Sequence, residues 1–127
     1  MREEIKNWFE QSKRDLGNAE YLFEGERYEL AAFSCQQSVE KALKALIMLE
    51  KKESPGPVHS LIKLGSTVHV PSRFYPFLRS LSAEYVFSRY PDIAEGVPYK
   101  QYTQEIIENY IKNAKELMKW IHTQIKE

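Results

Sequence analysis

No stretch of this sequence limits the fold more than residues 29–52, which hold neither proline nor glycine and run into Ser-Pro-Gly-Pro at 54–57. Advancing about 100° per residue, Cys35, Val39, Ala42, Leu43, Leu46 and Ile47 spread over one very broad face. A helix this apolar is buried against other elements. Two polar residues interrupt its face: Gln36 and Glu40 fall inside the apolar arc, between Leu43 and Phe33. Gln37, Lys41 and Lys44 lie on the opposite, solvent-like side. An amide and a carboxylate on the flank of a core face need partners there.

The rest of the chain reads as helices too. The first runs from about Arg2 to Phe23, with Ile5, Trp8, Phe9, Ser12, Leu16, Ala19 and Leu22 at helical spacing, and Gly25 breaks it. The second is the stretch from about Glu29 to Lys52, stopped by Pro55 and Pro57. A short third helix follows His59, carrying Leu61, Ile62 and Leu64 up to Gly65. The fourth begins with Ser72 as cap or Pro76 in its first turn, shows Phe77, Leu78, Leu81 and Tyr85 as its stripe, and ends near Ser88. Residues 89–100 read as a loop. The last helix starts near Thr103, with Glu105 and Glu108 where acids suit the helix dipole. Its stripe is Ile107, Tyr110, Ile111, Ala114, Leu117, Ile121 and Ile125. No strand pattern or internal repeat is visible. The fold class expected is all-α: an up-and-down antiparallel bundle of four long helices plus one short, forming a single domain over 1–127.

Charge and motifs narrow the function. Lys plus Arg, 18, equals Asp plus Glu, 18, so no global basic field draws in nucleic acid. The single cysteine, Cys35, lies on the apolar face and reads as a small reduced hydrophobe. Without an apolar signal core or a long apolar run, a cytoplasmic chain with no membrane span is expected. The glycines are isolated, so no phosphate-cradling loop is encoded. His59 and His69 stand across a breaker from each other, which is poor metal-ligand spacing, and no cofactor or metal is expected. A serine nucleophile lacks its Gly-x-Ser-x-Gly elbow.

Three spots carry the candidate chemistry. Gln36 and Glu40 are either an ordinary flank ladder running on to Lys44 or part of a polar network facing another helix or a bound group. His59 is either a docking residue at the start of the short helix or a site residue. "SRYPD", 88–92, aims Arg89, Tyr90 and Asp92 from a rigid turn, either as a loop lock or as a site. Arg89 is the best phosphate binder of the chain, because its planar fork matches phosphate oxygens. These residues suggest one assembly. The Arg-Tyr-Pro-Asp loop folds back over the second helix, Glu40 or Gln36 holds Arg89 or the backbone beside it, and His59 joins with Asp92.

The same spots carry a family likeness. "WFEQSKRDLGNAEYL" at the start, "AAFSCQQSVEKALKALI" in the second helix, "HSL" after the Pro-rich break and "RYPD" after the fourth helix together resemble the HEPN domain (higher eukaryotes and prokaryotes nucleotide-binding). The resemblance spans nearly the whole chain. It implies a five-helix up-and-down bundle, usually a homodimer and often encoded beside a minimal nucleotidyltransferase, the pair acting in some cases as a toxin–antitoxin system. Many such domains are metal-independent RNases whose signature is Arg, four to six residues, then His. Others bind nucleotides or are non-catalytic partners.

Here no arginine has a histidine at that spacing: after Arg89 the corresponding positions hold Ala94, Glu95 and Gly96. The sequence is therefore read as a partner of a minimal nucleotidyltransferase with a nucleotide- or phosphate-binding cleft formed by Gln36, Glu40, His59, Arg89, Tyr90 and Asp92. The alternatives are an RNase toxin working through Arg89, His59 and Asp92, and a plain oligomerisation module. A homodimer is expected, because Phe23, Tyr28, Phe87 and Tyr102 lie off the clearest core positions and surplus aromatic surface marks interfaces.

Overall fold

Helix ends in this chain are set by local chemistry that the computed structural model resolves residue by residue over positions 1–125. Residues 126 and 127, the end of the expected 1–127 domain, lie outside the described residues. The helices are α1 (Glu3–Glu24), α2 (Tyr28–Lys51), α3 (Leu61–Thr67), α4 (Tyr75–Ser82), α5 (Glu84–Phe87), α6 (Pro91–Ala94) and α7 (Gln104–Gln124). Single 3₁₀ turns at Ser72–Phe74 and Pro98–Gln101 precede α4 and α7. No strand occurs among the described residues, and the architecture is an all-α helical bundle.

Gly25 follows the end of α1, but the left-handed residue of that turn is Glu26, at φ 59°. The Arg27 N–H there reaches back to the Leu22 carbonyl at 2.9 Å, satisfying a carbonyl that the helix end leaves open. Lys52, also left-handed, ends α2, and its N–H bonds the Met48 carbonyl. Ser60 caps α3 by accepting from the Lys63 N–H, and Thr103 caps α7 by accepting from Ile106.

The fourth helix differs from the single run expected to Ser88: it is divided at Ala83 into α4 and α5. Two side chains account for the division. The Ser82 hydroxyl accepts the Leu61 N–H at 3.0 Å, and Glu84 turns inward to the phenols of Tyr102 and Tyr110. The 89–100 loop is likewise more ordered than expected, since Pro91 and Pro98 each start one helical turn.

The second helix is the axis of the fold. α1, α3, α4, α5 and α7 all pack on it, and every residue from Ala42 to Met48 is buried. Serines let α1 and α2 approach closely: the Ser12 hydroxyl donates to the Ser38 carbonyl at 2.7 Å and the Ser38 hydroxyl to the Ser12 carbonyl at 2.8 Å. Cys35 is fully buried, and burial, with Glu20 and Glu84 adding to it, pushes its thiol up to about 12. Among the described residues no helix is long and apolar enough to cross a membrane.

Candidate functional site

The two polar residues in the apolar arc of α2 are buried as a unit. Gln36 is inaccessible and Glu40 is 6% exposed. A buried carboxylate is tolerated when donors surround it, and Glu40 has three. Gln36 Nε2 donates at 2.9 Å, Lys44 Nζ lies at 3.1 Å, and His59 Nδ1 lies 3.1 Å from each carboxylate oxygen. Helical i,i+4 spacing supplies the first two, and the segment after Pro55 and Pro57 delivers the third. An ionised carboxylate only accepts, so the His59 Nδ1 that faces it carries the hydrogen. In the neutral ring, Nε2 is then the nitrogen with a free lone pair, and it has no partner among the described residues.

His59 does not stand alone. Its ring stacks on Tyr85, with centroids 4.0 Å apart and planes 17° from parallel. The Arg89 guanidinium carbon lies 4.8 Å from the centre of the same Tyr85 ring, 4.5 Å from that of Phe33 and 5.1 Å from that of Tyr90. Arg89 Nε also donates to the Tyr85 carbonyl one turn back, at 2.7 Å. That bond orients the guanidinium and leaves its terminal nitrogens without a described protein partner. His59, Arg89 and Tyr90 are all exposed. The buried carboxylate is thus linked through an imidazole and one phenol ring to a cation fixed at the surface.

Two expectations are corrected by this geometry. Neither Glu40 nor Gln36 holds Arg89 or the backbone beside it: the described contacts of Glu40 are Gln36, Lys44 and His59, those of Gln36 are Glu40 and Gln37, and Arg89 instead closes onto its own helical turn and onto three rings. Nor does Asp92 complete the cluster. It is exposed in the first turn of α6, with no hydrogen bond or ion pair to His59 or Arg89 among the described residues, and the carboxylate on His59 is Glu40.

Two participants escape a reading of the sequence, and so does the burial of a third, Lys44, which the ladder from Glu40 already named. Tyr85 falls in the core stripe, although its i,i+4 relation to Arg89 places both on one face. Phe33 has the weaker signal of standing beside the polar arc. Lys44 falls on the solvent side of the wheel, yet it is 5% exposed because α1 covers that flank, with the Trp8 ring 5.8 Å from its ammonium.

A second polar cluster lies next to the first in sequence. Glu84, 5% exposed, accepts the hydroxyls of Tyr102 at 2.6 Å and Tyr110 at 2.8 Å, and Tyr110 also meets the Ser80 hydroxyl at 2.9 Å. Burial raises the Glu84 carboxyl, partly offset by the two phenol hydrogen bonds. Burial and the neighbouring carboxylate push both phenols well above the usual tyrosine range. This cluster ties α5, which carries Tyr85, to α7 and to the turn before it. No group of three or more His, Cys, Asp or Glu that could hold a metal occurs among the described residues.

Comparison with known proteins brings two solved structures close to this chain. An archaeal HEPN homologue, ST0689, is 36% identical, with a TM-score of 0.83 over 99% of this chain and 100% of its own. TT1696 from Thermus thermophilus is 26% identical, with a TM-score of 0.88 over 98% of this chain and 100% of its own. A search of curated proteins gives no match. The family model for the HEPN domain matches residues 5–125, a span that takes in every helix but the first two residues of α1. The chain therefore belongs to the HEPN domain family.

Proposed function

We propose that this HEPN domain binds the phosphate of a nucleotide at the surface formed by Arg89 and His59, as a cytoplasmic homodimer that partners a minimal nucleotidyltransferase. One observation carries the binding reading: a guanidinium and an imidazole are held against the same Tyr85 ring, both residues exposed and with nitrogens that have no partner among the described residues. A guanidinium fork suits phosphate oxygens, and the exposed Tyr90 ring beside it offers a face to a base. Gln36 and Glu40 support this from beneath, by fixing His59. The partner role rests on family membership. A homodimer is favoured by the exposed apolar side chains of Ile93, Val97 and Tyr99 along one segment.

The test is titration of the purified chain with a fluorescent adenine nucleotide. Arg89→Ala and His59→Ala should each weaken binding about tenfold or more, the scale of one charge-assisted contact, with unchanged helical circular dichroism. Wild-type protein that binds no nucleotide would sink the reading and favour the plain oligomerisation module.

A second reading, a metal-independent RNase of a toxin–antitoxin pair, draws on a different observation. A carboxylate on the Nδ1 side of a histidine leaves Nε2 as a proton acceptor, which is the arrangement general-base chemistry uses. We expect little cleavage, because the family's spaced Arg–His signature is missing. EDTA-resistant cleavage of a tRNA pool that His59→Ala abolishes would reverse that ranking.

A further inference from the structure

The contact between Glu40 and His59 is the end of a longer chain of polar side chains that starts on α1. Asp15 and Lys41 form an ion pair at 2.6 Å. Lys41 also donates to Gln37 Oε1 at 3.2 Å, Gln37 Nε2 donates to Gln36 Oε1 at 2.8 Å, and Gln36 Nε2 donates to Glu40 Oε1 at 2.9 Å. Chemistry gives this chain a direction. An ammonium has only donors, so the Gln37 oxygen must face Lys41 and its amide nitrogen must face onward. The same logic turns Gln36, whose nitrogen then meets the carboxylate. Neither amide can flip without setting two donors or two acceptors against each other, and Gln36 has no water to turn to.

We infer that Lys41, on the far side of α2 from the site, is a positioning residue that sets the orientation of Glu40 and thereby the tautomer of His59. With Oε1 held by Gln36 and Oε2 held by Lys44, the carboxylate presents both oxygens to Nδ1. If the Gln36 bond is lost, the carboxylate is anchored by Lys44 through Oε2 alone and turns away from the imidazole. The inference builds on reading His59 as the ligand-facing group, but its test needs no ligand.

The experiment is long-range proton–nitrogen NMR of ¹⁵N-histidine-labelled protein at a pH where His59 is neutral, with His59→Gln used for assignment. Wild type should show His59 mainly as the Nδ1–H form. Gln37→Glu, nearly isosteric, keeps the contact to Lys41 but removes the donor to Gln36. Lys41→Met removes the start of the chain, and Lys41→Arg retains a donor there. The first two should lower the ratio of Nδ1–H to Nε2–H form roughly three- to tenfold, the bias of one hydrogen bond, while Lys41→Arg leaves it near wild type. A general loss of stability would not change that ratio in the folded protein. An unchanged ratio in folded Gln37→Glu overturns the inference, whether or not nucleotide binding is observed.

Discussion

Glu84 meets two neutral phenols and no cation among its described contacts, so the protein carries a carboxylate whose ionised form burial disfavours. A carboxyl that titrates higher when folded than when unfolded stabilises the fold fully below its unfolded value. That contribution is lost as pH rises through the folded value. For Glu84 the loss begins at the ordinary value of 4.5 and continues upward to its raised one. Glu84→Gln removes this slope. At about pH 4 the variant should be less stable than wild type by about 1 kcal/mol, since an amide nitrogen replaces one acceptor of the phenol pair. The gap should close or reverse toward about pH 7, a range above the ordinary titration of glutamate. Urea unfolding of both proteins across that range measures it, and a difference that stays constant with pH would contradict the account.

Where elements meet, Gly65 shows how tightly the short helix is seated. A Cβ at this position would lie 2.8 Å from a Leu78 methyl and 3.1 Å from a Val70 methyl. Both neighbours are buried, so α3 rests almost backbone-first on α4. Gly65→Ala should therefore destabilise the protein by about 1–2 kcal/mol, overpacking outweighing the usual helical gain of alanine over glycine; a raised melting temperature would show that Leu78 has room to yield. The sequence announced most of this level of structure. Pro55, Pro57, Ser60 and Thr103 act locally, so helix ends at 52, 60 and 103 could be read from them. The division at Ala83 could not, because its causes, Leu61, Tyr102 and Tyr110, are distant in sequence. The candidate site was legible only in part. Gln36 and Glu40 stood out because they violate a helical pattern, and Arg89 because of its turn. Their linkage through His59 and Tyr85 depends on how the 52–60 connection and α5 cross α2, and no periodicity encodes that crossing.

At the scale of the whole molecule, Phe23 packs on Tyr28 at 5.9 Å and Phe87 on Tyr102 edge-on at 6.4 Å, and all four rings are half-buried. The exposed apolar set on 93–99 is the surface that a second copy would cover. Sedimentation at tens of micromolar, roughly where a modest interface still holds, should give a dimer, and Ile93→Glu should shift it to monomer. A wild-type monomer under those conditions would remove the homodimer from the proposal. The encirclement of α2 has a further consequence, in time rather than space. Helices on several sides must all move off before the amides between Ala42 and Met48 meet water, so no partial opening exposes them. Their hydrogens should exchange with solvent only through complete unfolding, the slowest in the protein, while those of α6 and the Pro98–Gln101 turn exchange early through local fluctuations.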